Sequence, residues 1–295
     1  MKRVTENVYV EDRYSAQPYN RGCNPGYITT SEGIVLIDTP MLPRDAIKWR
    51  DQIAKLGKVR YIINTHFHAD HTSGNYLFNA PIIAHEGDRE LSKKLLTGIF
   101  IPGVLKKSKG RPLTLEETAR FDIEDRDPES IPFMKDFYLK PPDITFSEGL
   151  TLYVGNHTFV CTHLPGHVAT HIGVYIPQEK VFFAGDNFTN QVQPVLSSCL
   201  PFEWVASLKK IEAMDVEQVI PGHGIVGGKK EVREFRLFIE KCLEMVRDAI
   251  KKGMSKEQAA SEISFESLYP AVHPGAEQQS FNVIRLYEAW LEQAK

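Results

Sequence analysis

The sequence predicts an α/β protein made of two β-rich halves, each with a helix, closed by a helical tail. Three observations carry this reading. Short β-branched and apolar runs recur between Asn7 and Ile220, cut by Gly, Pro, Asn or Asp. One helical pattern interrupts each half. From Lys229 onward the apolar residues Val232, Phe235, Phe238, Cys242, Leu243 and Val246 return at helical spacing.

In chain order, residues 7–10, 26–29 and 34–38 read as strands. Residues 43–56 read as a helix, with Ala46, Ile47, Trp49, Ile53 and Leu56 supplying much of an apolar face. The run 58–64 is β-branched and apolar enough for a buried strand. The second half repeats the style, with strands expected at 144–146, 150–154, 157–162, 172–176 and 181–184. A helix over 202–214 and a strand over 218–220 complete it. The stretch from about 89 to 142 falls outside this scaffold. It carries Leu91, Leu95, Leu96, Ile99 and Val104, then an acidic segment, 116–129, then Phe133, Phe137 and Tyr138. An insert of that length serves as a lid, a binding loop or an oligomer contact, so a homodimer is one expectation. The expected organisation is a catalytic domain over 1–228, with the insert, and a helical extension over 229–295 packed on it. Gly253 ends the first tail helix, and Ser255 with Gln258 forms a capping box for the next.

Composition narrows the class. A chain of 295 residues suits a large α/β sandwich, and 42% apolar with 25% charged residues is ordinary for a soluble protein. A net charge of −3 lacks the basic footprint of a general nucleic-acid binder. No apolar run approaches the roughly 18 residues a bilayer span needs. Met1 to Asn7 has two basic residues but no apolar core after them, unlike a secretory signal. Cys23, Cys161, Cys199 and Cys242 are scattered without a C-x-x-C, which suits reduced thiols in a cytoplasmic protein. Together these point to a small-molecule substrate, with no membrane and no nucleic acid.

The densest chemistry lies at 66–71, where His66, His68, Asp70 and His71 put four metal-ligating side chains into six residues. The run follows the strand at 58–64, and strand ends in α/β sheets are where sites are built. A helix cap needs one such residue, not four. His167, Asp186 and His223 each follow a short β-like segment and have a Gly beside them, which suits a tight turn at a sheet edge. Imidazoles and carboxylates together make a borderline-hard donor set for Zn, Fe or Mn.

These motifs, in this order and with Asp38 closing the run 33–38, resemble the metallo-β-lactamase superfamily over roughly residues 7–225. The resemblance implies a four-layer αββα sandwich with the metals at one sheet edge. It implies that His66, His68 and His167 bind a first metal, Asp70, His71 and His223 a second, and that Asp186 bridges them. It gives Asp38 the task of holding the histidine loop. Two divalent ions, zinc first and Fe or Mn as alternatives, would lower the pKa of a shared water from 15.7 towards about 7. Asp70 would also orient the attacking group. His171 is the best of the remaining histidines to hydrogen-bond a ligand. His85, His157, His163 and His273 read as bystanders, with His157 in an exposed turn.

A metal-dependent hydrolase of an ester, lactone or thioester is the leading reading, compatible with side activity on β-lactams or phosphodiesters. Asp at 186 argues against a dedicated β-lactamase, which usually has Cys or Ser there. Asn187, Phe188 and Thr189 depart from the Tyr that follows in quorum-lactone hydrolases. His68 and the lack of a flavodoxin domain argue against flavodiiron reductases. The acidic insert does not resemble the basic arm of tRNA-processing endonucleases, which leaves a nucleic-acid phosphodiesterase a lesser alternative. A persulfide dioxygenase-like enzyme with one Fe on His66, His68 and His167 is the redox alternative, and metal stoichiometry separates the two. A metal-free binding module would have no use for seven such residues.

Overall fold

A computed structural model describes residues 1–12, 22–91, 94, 109, 111–269 and 276–293. Among them, one sheet of seven strands runs in chain order: β1 (Lys2–Arg3), β2 (Val8–Val10), β3 (Gly26–Thr30), β4 (Gly33–Ile37), β5 (Val59–Ile63), β6 (Ile82–His85) and β7 (Ile144–Phe146). A second sheet holds β8 (Gly149–Val154), β9 (His157–His163), β10 (Ile172–Ile176), β11 (Val181–Asn190) and β12 (Gln218–Gly224), in the order β12-β11-β10-β9-β8. Strand alternation fixes the layering. In β4, Val35 and Ile37 point to the other sheet, where Phe159, Cys161, Val174 and Phe183 meet them. Ile34 and Leu36 point outward onto Trp49 and Ile53 of α1 (Pro43–Ile53). Both faces are buried, so the strand is apolar throughout. Two short helices flank β6, with α2 (Ala69–Thr72) before it and α3 (Glu86–Leu91) after it.

Three elements depart from the sequence reading. The acidic segment of the insert is a helix, α4 (Leu115–Arg126), started by a Thr114–Glu117 capping box. Ala119 and Ile123, one turn apart, join Met134 and Phe137 against Met41 and Leu42. Phe137 is therefore buried in this small core, while Phe133 and Tyr138 are exposed. Strand β11 does not stop at Ala184 but runs on to Asn190, with register shifts on both sides of Gly185. His157 is 3% exposed rather than in an open turn, because its Nε2 lies 2.9 Å from the Glu179 carboxylate. Leu95, Leu96, Ile99, Val104 and His273 lie outside the described residues.

The outer face of the second sheet is covered as the first is. Phe182, Ala184 and Phe188 of β11 pack with Trp204 and Leu208 of α5 (Pro201–Ala213) and with Val232, Phe235 and Ile239 of α6 (Lys229–Lys251). Helix, sheet, sheet and helix form the αββα order. The tail continues as α7 (Lys256–Glu262), opened by the Ser255–Gln258 capping box, and α8 (Ala276–Gln293). No helix among the described residues is long and apolar enough to cross a membrane.

Candidate metal centre

Strands β4 and β5 are parallel, as are β11 and β12, and each pair ends at the same edge. Asp38 and residues 66–71 follow β4 and β5, His223 lies near the end of β12, the β9–β10 turn carries His167, and the bulge in β11 carries Asp186. After β5 the chain bends at residues 65–67, is extended at His68 and then turns into α2, which holds Asp70 and His71. The structure thus brings all seven sequence-selected donors to one place.

They form two clusters that share a carboxylate. In the first, one ligand atom each from His66, His68, His167 and Asp186 lie within 4.8 Å of one another. His68 Nδ1 is 3.1 Å from His167 Nε2, which is 3.5 Å from Asp186 Oδ2. In the second, His71 Nε2 is 3.1 Å and His223 Nε2 3.4 Å from Asp186 Oδ1. Asp70 Oδ2 lies 3.0 Å from His223 Nε2 and 3.6 Å from His71 Nε2.

The donors fit a metal. Bonds of 2.0–2.1 Å in a tetrahedron put neighbouring donors about 3.3 Å apart, and the separations here run from 3.0 to 3.6 Å. His66 Nε2 is buried with no hydrogen-bond partner, and an uncompensated buried polar atom costs about 1–3 kcal/mol, so a nitrogen left open at this point is poor structure and a good ligand.

Electrostatics separates the clusters. Burial, then the His167 imidazole, pushes His68 down to about 3. Burial, with His71 and His68, holds His66 well below its ordinary value. These rings are held neutral. At His223 burial acts in the same direction, but Asp186 and Asp70 outweigh it and raise the ring to about 9. Burial pushes Asp70 and Asp186 up, yet the adjacent His71 and His223 hold both well below the carboxylate range.

The support around the donors is specific. Asp38 sits in the left-handed region at φ +56°, a conformation costing a non-glycine residue about 1–3 kcal/mol. Its carboxylate accepts the Thr65 N–H and the Thr65 hydroxyl, each at 2.8 Å, and lies 2.8 Å from His71 Nδ1. That contact leaves His71 Nε2 for the cluster. The His71 carbonyl also accepts bonds from Thr39 Oγ1 and Asn64 Nδ2, and Asn75 Nδ2 donates to Asn64 Oδ1 at 2.8 Å. His171 is fully buried and supports the site differently from the expected hydrogen bond to a ligand. It stacks on His66 at 5.2 Å between centroids and accepts the Asn187 N–H at 3.3 Å.

The sequence reading passed over several of these residues. Thr65 has one available signal, its place beside His66. Asn64, Asn75, Thr39 and Asn187 have none, since their partners are distant in sequence. Cys23 is buried against Asp38 and His71, and burial raises its thiol to about 12. Gly222 is more than a turn residue, because a Cβ there would collide with Asp186 Oδ1.

The chain belongs to the metallo-β-lactamase superfamily, whose family model matches residues 18–223. A linear primary-alkylsulfatase from a Pseudomonas species is 23% identical over 80% of this chain, which spans about half (48%) of that relative's length. A β-lactamase-like protein 2 homolog from Caenorhabditis elegans is 23% identical over 82% of this chain and 68% of its own. Among solved structures, a metallo-β-lactamase family protein from Thermus thermophilus has a TM-score of 0.67 at 17% identity, covering 99% of this chain and 95% of its own. A sec-alkylsulfatase from a Pseudomonas species has a TM-score of 0.66 at 16% identity, covering 98% of this chain and 50% of its own. At these identities the structural likenesses show the fold.

Proposed function

We propose that the chain is a dinuclear, zinc-first hydrolase of an ester, lactone or thioester. The observation that carries this is Asp186, whose Oδ1 faces His71 and His223 while its Oδ2 faces His167. One carboxylate serving two donor sets suits two ions, not the single ion of a dioxygenase. His66, His68 and His167 would hold the first ion and Asp70, His71 and His223 the second.

Bound metal supplies Lewis acidity and brings a water's pKa down towards about 7. The chain's own residues do the rest. Asp70 is the most open of the three carboxylates at this edge, at 23% side-chain exposure against 11% for Asp186 and 5% for Asp38. Held ionised, it accepts a hydrogen bond from the attacking water and orients it, rather than storing a proton. Asp38 keeps His71 turned so that the loop geometry survives turnover. The α4 helix packs beside Ala69 in α2, which puts the insert next to the donors and makes it the element that selects substrate.

A sulfate ester is the second substrate reading, favoured because alkylsulfatases appear both among the sequence relatives and among the structures that cover nearly the whole chain. The test is a panel of lactones, thioesters, carboxylic esters, alkyl sulfates, phosphodiesters and β-lactams assayed with zinc-loaded protein. Turnover fastest on a carbonyl ester, lactone or thioester supports the first reading. Turnover fastest on alkyl sulfates replaces it with the second, and no hydrolysis of any class overturns both.

A further inference from the structure

We infer that Asn187 is a positioning residue that sets His167 against Asp186, an inference that rests on the dinuclear reading above. Asn187 follows Asp186 in β11 and is fully buried. Its side-chain amide spans the turn that carries His167. Oδ1 accepts the His167 N–H at 2.9 Å, and Nδ2 donates to the Leu164 carbonyl at 2.6 Å. Its backbone is held as well, the N–H donating to His171 Nε2 at 3.3 Å and the carbonyl accepting the Trp204 indole N–H at 2.9 Å.

Each bond ends on the His167 turn or on a side chain packed against His66 or His167. Trp204 meets the His167 ring at 5.7 Å between centroids, and His171 stacks on His66. The turn is also pressed onto the amide, since a Cβ at Gly166 would lie 2.5 Å from Asn187 Oδ1 and 2.9 Å from the Trp204 ring. The dipeptide Asp186–Asn187 therefore delivers the shared carboxylate with one side chain and fixes the first cluster's distal histidine with the next. The second cluster is held by other means, His71 by Asp38 and by the Asn64–Asn75–Thr39 network.

Only an amide does this at that site. It needs one acceptor and one donor on a two-carbon stem, both buried. An apolar replacement leaves the His167 N–H and the Leu164 carbonyl unpaired. An aspartate keeps the acceptor but sets a carboxylate oxygen against the Leu164 carbonyl. No bond in this network ends on Asp70 or His223, so the effect is expected in the first cluster alone.

The experiment isolates each cluster. In an Asp70→Ala background only the first binds zinc tightly, and in a His68→Ala background only the second does. Zinc affinity is measured by chelator competition in each background, with and without Asn187→Ala. The expected result is a loss of about 10- to 100-fold in the Asp70→Ala background, the usual cost of removing a group that orients a ligand, and no change in the His68→Ala background. Asn187→Asp should lose less than Asn187→Ala and serves alone if the alanine variant does not fold. In the metal-free protein, the His167 backbone amide should exchange faster in Asn187→Ala, which removes its acceptor, than in Asn187→Asp, which keeps one. Ser207→Ala, which removes only the bond to the Pro165 carbonyl of the same turn, should leave both affinities unchanged. Equal losses in the two backgrounds, or none in folded variants, overturn the role of Asn187. A parent protein that binds fewer than two ions instead overturns the dinuclear reading beneath it.

Discussion

The two clusters of the metal centre use the same side chains in opposite electrical states. His66, His68 and His167 see one another across a buried space, and the pull of Asp186, joined at His68 and His167 by Asp70, does not offset burial, so their rings are held below the ordinary histidine value. His71 and His223 are just as buried, but Cys23, Asp186, Asp38 and Asp70 around His71, and Asp186 and Asp70 beside His223, outweigh burial and raise both rings. Burial alone therefore does not set a ligand's readiness. The number of anions within reach decides whether an ion enters an open lone pair or must first displace a proton.

The largest way to break this contrast is to remove what the clusters share. Asp186→Ala should cost both ions their common ligand and lower turnover by at least about 10³-fold, on the scale seen when groups acting as a unit are broken. Elemental analysis of the folded variant, alongside the assay, checks that both fall together. Asp70→Ala should be selective. It is expected to leave one ion per chain, lower turnover by about 10²- to 10³-fold, and keep the far-ultraviolet circular dichroism, since a partly exposed loop carboxylate removes little packed surface. Near-parental turnover with two ions bound would take Asp70 out of the mechanism.

The contrast also has a pH signature. His223, raised from 6.5 to about 9, binds a proton in the metal-free fold that the unfolded chain releases above about 6.5. Its contribution to metal-free stability is thus complete below about 6.5 and is lost as pH rises through about 9. Zinc affinity of the second cluster should climb over that window, by up to about tenfold per pH unit for one displaced proton. Affinity of the first cluster should be flatter, with His68 already neutral above about 3. Titration calorimetry in the two single-cluster backgrounds reads both slopes, and equal slopes would remove the distinction.

A smaller effect must be separated from that profile. Asp88, in α3, is 4% exposed, and its buried carboxylate is only weakly supported, by the Thr170 side chain. Burial pushes its carboxyl from 3.8 up to about 7, against a weaker opposing pull from Thr170. Its neutral form favours the fold below about 3.8, and that advantage drains away as pH rises to about 7. Asp88→Asn should therefore raise the melting temperature at pH 8 and change it little at pH 4. A variant less stable at pH 8 would show that the carboxylate has a partner that matters.

Ligand chemistry was legible in the sequence because it is dense and local. His66 to His71 is one loop, and the glycines beside His167 and His223 mark turns. The strands were legible because alternation and β-branching are local too. What stayed hidden depends on residues far apart in the chain. The bulge at Gly185 that carries β11 past Asp186 needs β12 beside it. Asn187 looks like a polar residue in a strand until Leu164 and His167 fold onto it. His157 looks like a turn residue until Glu179, 22 positions on, closes against it. The insert read as acidic because charge dominates 116–129, and the narrow apolar face of Leu115, Ala119 and Ile123 is easily outvoted.

The most direct test of the account is the metal content of protein reconstituted with excess zinc and freed of loosely held ions. Elemental analysis should give about two ions per chain for the parent and about one for Asp70→Ala. One ion per chain in the parent, unchanged by Asp70→Ala, would contradict the dinuclear centre and leave the second cluster a buried ion-pair network.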